Sequence, residues 1–179
     1  DPVREFGLHL GVAPEHIRAV EVEYDTLSGN WWQGQGPWRE AYLAVQHSVL
    51  TESDGKARVI RELLQNQTGR SLLVGDGVSD LLASREVDLF AGFGGVICRD
   101  RVASESKVFI QSQSIAPVLL LAAGTAALEH SGDAGVQALA EKAHALTQSA
   151  ALRWNEVRLA EKFEACFGTR ATTGSERDL

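Results

Sequence analysis

The spacing of apolar positions changes several times along this chain, and each change predicts a different element. After Pro2, Val3, Phe6, Leu8 and Leu10 fall at helical intervals, and Gly11 closes a short helix. From Ile17 to Tyr24 the pattern alternates. Val20, Val22 and Tyr24 lie on one face and Glu21, Glu23 and Asp25 on the other, which predicts a strand. Thr26 to Asn30 reads as a turn, and Trp31-Trp32 begins the return strand of a β-hairpin. The Gly- and Gln-rich stretch to Pro37 is irregular, and 38–50 fits either a helix or a loop.

From Thr51 the signals sharpen. Ser53-Asp54-Gly55-Lys56 leads into a helix with Val59, Ile60, Leu63 and Leu64 inward. Asn66 to Gly69 is a turn and Arg70 to Val74 a buried strand. A helix over 78–84, a strand over 87–90, a strand over 107–111 and a helix over 115–123 follow. Strands alternating with helices predict an α/β fold with a layered parallel sheet. Past Gly124 the chain turns Ala- and Leu-rich, and 136–167 suits one long helix or two shorter ones. The tail, 168–179, has almost no apolar content and is predicted to be disordered.

Composition narrows the function classes. The 179 residues are 44% apolar, enough to bury one sizeable core with or without an appendage. A net charge of −7 and no block of Lys and Arg argue against nucleic acid as a partner. The longest apolar run, 115–128, contains Pro117 and Gly124 and is too short for a membrane span. No charged leader precedes an apolar stretch, and the two cysteines, Cys98 and Cys166, lie far apart without metal spacing. Together these predict a reducing, cytoplasmic setting. The chain starts at Asp1-Pro2 and contains no methionine, so it is expected to be part of a longer polypeptide.

Candidate chemistry centres on Val74-Gly75-Asp76-Gly77-Val78-Ser79-Asp80. A buried strand ending in this turn delivers two carboxylates to the carboxyl edge of a sheet, where α/β folds bind ligands. Two carboxylates there make a hard-oxygen site suited to Mg²⁺. Equally, Asp76 can shape the turn while Ser79 or Asp80 caps the helix. Lys56 lies twenty residues before Asp76, at a helix start. Taken alone it reads as a solvated lysine. With two metal-binding carboxylates it suits a phosphate monoester.

Other motifs fail on spacing. Gly92-Phe93-Gly94-Gly95 runs on into Val96 and Ile97, so it lacks the dinucleotide fingerprint. Gly55-Lys56 has no P-loop context, the histidines form no HExxH pair, and there is no GxSxG elbow. Glu21, Glu23 and Asp25 read as a solvated face, and the tryptophans as packing or partner contacts.

Three segments occur in order: 52–60 around Lys56, 74–80 around Asp76, and Phe90-Ala91-Gly92-Phe93-Gly94-Gly95. This set resembles the C-terminal half of a phosphoserine phosphatase of the haloacid dehalogenase superfamily. The likeness runs on through Arg99 and the Lys107 strand, covering roughly 1–123. It implies a three-layer, Rossmann-like parallel sheet lacking its first strands, with a β-hairpin and a C-terminal helical extension. Residues 1–124 would be the core part, 125–167 the extension and 168–179 the tail.

By position, the resemblance makes Lys56 the catalytic lysine that contacts the phosphoryl group. Asp76 becomes the Mg²⁺ ligand, and Asp80 the second acidic residue, supporting the metal shell and the lysine. Ser79 and Gly77 fall beside the phosphate, where Gly75 and Gly77 let the backbone approach.

The nucleophilic DxDxT aspartate of that family, its phosphate-binding Ser/Thr and its cap do not occur in these residues. The nucleophile is therefore expected outside this chain, supplied by a missing N-terminal half or a partner copy. The strand carrying Asp76 is expected to show an open apolar edge. The resemblance thus implies a Mg²⁺-dependent hydrolase of a small phosphorylated metabolite, acting through an aspartyl-phosphate. The alternative is an inactive or truncated family member serving as a binding module.

Overall fold

The structure, a computed structural model, describes residues 2–25, 41–45, 47–129 and 131–167. It divides into two units, 1–68 and 69–179.

In the first unit, α1 (Pro2–His9) ends as its glycine predicts. Gly11 takes φ +78°, a conformation favouring glycine, and Val12 N–H donates to the Gly7 carbonyl at 2.9 Å. Strand β1 (Val22–Asp25) pairs antiparallel with β2 (Ala41–Val45). The segment 38–50, expected as helix or loop, therefore contains a strand; the expected return strand at Trp31-Trp32 lies outside the described residues. Helix α2 (Gly55–Leu64) follows, with Val59, Ile60, Leu63 and Leu64 half-buried along one face. Its start is fixed sterically: a Cβ at Gly55 would stand 1.7 Å from the Val49 carbonyl oxygen.

The second unit is built on a four-stranded sheet in the order β3-β4-β5-β6. Strands β3 (Leu72–Gly75), β4 (Leu89–Phe93) and β5 (Val108–Ile110) run parallel, as the alternating pattern predicts. Helices α3 (Val78–Ala83) and α4 (Asp100–Glu105) are the crossovers between them. Successive side chains of a strand point to opposite faces, so each face builds its own core. Phe90 and Phe109 pack with Leu81 of α3 and Val102 and Ala103 of α4. Ala91, Val108 and Ile110 pack on the other side against Val118 and Leu121 of α5 (Pro117–Glu129) and Phe163 of α7 (Val157–Phe167). The result is helix, sheet and helix in three layers, an arrangement compatible with a Rossmann-like fold.

Two details depart from expectation. Helix α5 continues past Ala123, but kinks at Gly124, whose φ of 68° and ψ of 176° are not helical. The segment 136–167 is not purely helical. Between α6 (Ala134–Gln148) and α7 it forms β6 (Leu152–Trp154), antiparallel to β5. Three residues carry too little periodicity to signal a strand, and β6 exists because β5 offers it an edge. The sheet is thus mixed, a common way for a parallel sheet to end. The predicted disordered tail, 168–179, lies outside the described residues.

At the amino ends of β3 and β4, the Asp88 carboxylate accepts the Ser71 backbone N–H and hydroxyl, both at 2.8 Å. The Ser71 backbone donor, then its hydroxyl, hold the Asp88 carboxyl below its ordinary value. A carboxyl depressed in the folded state stabilises above its unfolded pKa and loses that contribution as pH falls through the folded value. The melting-temperature gap between the wild type and Asp88→Asn should therefore be widest near neutrality and close as pH falls through and below the ordinary carboxylate range. A gap independent of pH in thermal melts would discard the clasp.

Candidate functional site

The site begins where β3 ends. Parallel pairing of β3, β4 and β5 puts all their carboxyl ends along one edge, so Asp76 and the Gly94-Gly95 turn emerge on the same side. The turn Gly75-Asp76-Gly77 is shaped by Asp80, which reaches back from the first turn of α3. Its carboxylate accepts the Gly77 N–H at 3.0 Å. Asp80 is 8% exposed, and a Cβ at Gly75 would stand 2.4 Å from its Cβ and Cγ. Gly75 is required by that close approach and not by a left-handed backbone.

Asp76 points the other way, with its side chain 48% exposed. Arg99, the residue just before α4, places Nη1 at 2.5 Å from Asp76 Oδ2 and 3.0 Å from the Asp76 carbonyl. Arg99 belongs to the segment singled out in the sequence, but its partner lies 23 positions away and no local pattern announces the pair. Ser79 is half-buried in the first turn of α3, next to Asp80. Gly77, Ser79, Asp76 and Asp80 are thus brought together. Lys56 is half-buried in the first turn of α2, in the first unit.

Mg²⁺ is held by one or two carboxylates, its remaining positions going to water and phosphate oxygens. Asp76, half-exposed and bearing hard oxygens at the sheet edge, fits as such an anchor. Asp80 commits one oxygen to the Gly77 N–H and fits as the residue that fixes the turn. Among the described residues no group of three or more His, Cys, Asp or Glu converges to hold a metal by itself.

The glycine run after β4 serves packing. A Cβ at Gly94 would lie 2.5 Å from Phe109 Cζ, and one at Gly95 2.3 Å from Phe93 Cζ. Both cysteines are free and exposed. Among the described residues no helix is long and apolar enough to cross a membrane.

Part of this chain is similar to phosphoserine phosphatases. Over 60 residues it is 38% identical to the phosphoserine phosphatase of Mus musculus. It is 37% identical, again over 60 residues, to those of Homo sapiens and Pongo abelii. Each match covers 33% of this chain and 27% of the relative, so the chain matches about a quarter of the length of these phosphatases. No model of a known protein family matches the chain. The similarity is local.

Proposed function

We propose that this chain is the metal- and phosphate-binding part of a Mg²⁺-dependent phosphomonoester hydrolase of the haloacid dehalogenase type. Its substrate would be a small phosphorylated metabolite resembling phosphoserine. The observation that carries the reading is the Asp76 turn at the carboxyl end of β3, in a chain locally similar to phosphoserine phosphatases.

In this reading Asp76 anchors the cation and Arg99 holds one of its carboxylate oxygens in a fixed direction. Asp80 keeps the turn closed through the Gly77 N–H, and Ser79 and Gly77 line the phosphate position. Lys56 contributes its positive charge to the phosphoryl oxygens. Bound Mg²⁺ supplies charge neutralisation of the phosphate. The attacking carboxylate, from outside these residues, would take the phosphoryl group as the P–O bond to the substrate oxygen breaks and the leaving alcohol is protonated by a general acid likewise outside them; water would then cleave the aspartyl-phosphate to free carboxylate and inorganic phosphate.

The test is hydrolysis of a generic phosphomonoester and of phosphoserine by the protein with its upstream coding sequence, with Mg²⁺ and with chelator. Turnover that requires Mg²⁺ and a nucleophilic aspartate encoded outside this chain is expected. Metal-independent turnover, or none with any phosphomonoester, would favour a non-catalytic binding module instead.

A further inference from the structure

Helix α4 joins the candidate site to the C-terminal segment. It is six residues long, too short to hold itself by its own hydrogen bonds. At its amino end Arg99 grips Asp76. Its carboxyl end leaves carbonyl groups without intrahelical donors, which need partners from elsewhere. Those partners come from β6 and the residue after it. Asn155 Nδ2 donates to the Ala103 carbonyl at 2.8 Å and to the Ser106 carbonyl at 2.7 Å. The Arg153 guanidinium also donates to the Ala103 carbonyl, and lies over the Phe109 ring at 5.3 Å. The Asn155 backbone N–H donates to the Lys107 carbonyl at 3.0 Å, fixing where the side chain starts.

We propose that Asn155 is a positioning residue for the site: it pins the carboxyl end of α4 so that Arg99 keeps its hold on Asp76. The inference rests on the proposed function for its catalytic consequence, but not for its structural one. It gives the segment beyond Gly124 a task. Through β6, that segment clamps the short helix whose other end meets the metal-binding carboxylate. Asn155 suits the task because one amide group offers two N–H donors to two carbonyls at once.

The test combines amide hydrogen exchange with turnover in the protein carrying its upstream sequence. Asn155→Ala should speed exchange at Asp76 and Gly77 about tenfold, leaving the β3–β4 ladder as in the wild type. Turnover should fall roughly tenfold, as when an outer partner of a metal site is lost. In an Arg99→Ala background, Asn155→Ala should add nothing further, since both act through one contact. Asn155→Gln, which keeps the two amide N–H donors, should recover part of both readouts, whereas Asn155→Asp, of the same shape without the donors, should not. That pair also decides the matter if the alanine variant does not fold. Leu139→Ala, on the exposed side of α6, should change neither readout.

Exchange accelerated uniformly across the sheet, or effects that add fully to those of Arg99→Ala, would overturn the proposal. A wild type inactive on every phosphomonoester would overturn the proposed function alone, since the exchange comparison still decides the role of Asn155.

Discussion

Replacing Asp76 with asparagine is expected to lower phosphomonoester turnover by at least ~10²-fold, the scale on which losing a charge-stabilising group is felt in a transition state. Shape is kept and charge removed, so the change acts on two contacts together. The hard anionic oxygen proposed to anchor Mg²⁺ is lost, and the ion pair to Arg99 Nη1 at 2.5 Å becomes an ordinary hydrogen bond. Stability should barely move. The Asp76 and Arg99 side chains are 48% and 41% exposed, and an ion pair in that setting contributes at most ~1 kcal/mol. The expected signature is therefore a large fall in turnover, a weakened dependence on Mg²⁺ concentration and a nearly unchanged melting temperature. Full activity of Asp76→Asn in the presence of chelator would remove Asp76 from the metal site.

Lys56→Ala should have an effect of similar size, about 10²- to 10³-fold in turnover, because it removes a positive charge from the phosphoryl oxygens. The fold should survive. The start of α2 is set by the packing of Gly55 against the Val49 carbonyl, and Gly55 N–H donates to the Glu52 carbonyl at 3.1 Å. Arg58 adds an ion pair to Glu52 at 2.5 Å. None of these uses the Lys56 side chain. Circular dichroism matching the wild type together with lost turnover is the expected pair of results. A Lys56→Ala enzyme of near-normal rate would remove Lys56 from the site.

Much of the architecture was legible from short-range pattern. The apolar runs ending at Val74 and Phe90 and the one around Phe109 became the three parallel strands, and the helix over 78–84 fell close to where spacing put it, whereas α4, between β4 and β5, carried no such signal. The Gly-Asp-Gly turn could be placed because a strand, a turn and a capped helix are each local features. Strand β6 was not legible. Leu152, Arg153 and Trp154 sit between two Ala- and Leu-rich helices, and their extended conformation comes from pairing with β5, some forty residues earlier. The strand at Ala41–Val45 was missed for the same reason, since it is defined by its pairing with β1.

At the site, the sequence determined the chemistry: two carboxylates four residues apart, on a turn, beside the kind of strand end where ligands bind. Local pattern could not say how differently the two are surrounded. Tertiary structure decided that, because burial and partners are properties of the fold. Asp80 is turned inward onto the Gly77 N–H and closes the turn, whereas Asp76 is turned outward and held by Arg99. Only the folded chain shows that α4, which carries Arg99 at one end, is pinned at the other by Asn155. Partners 23 positions apart meet because parallel strands bring remote segments to one edge, and those about fifty apart meet because β6 pairs antiparallel with β5; no local pattern encodes either meeting.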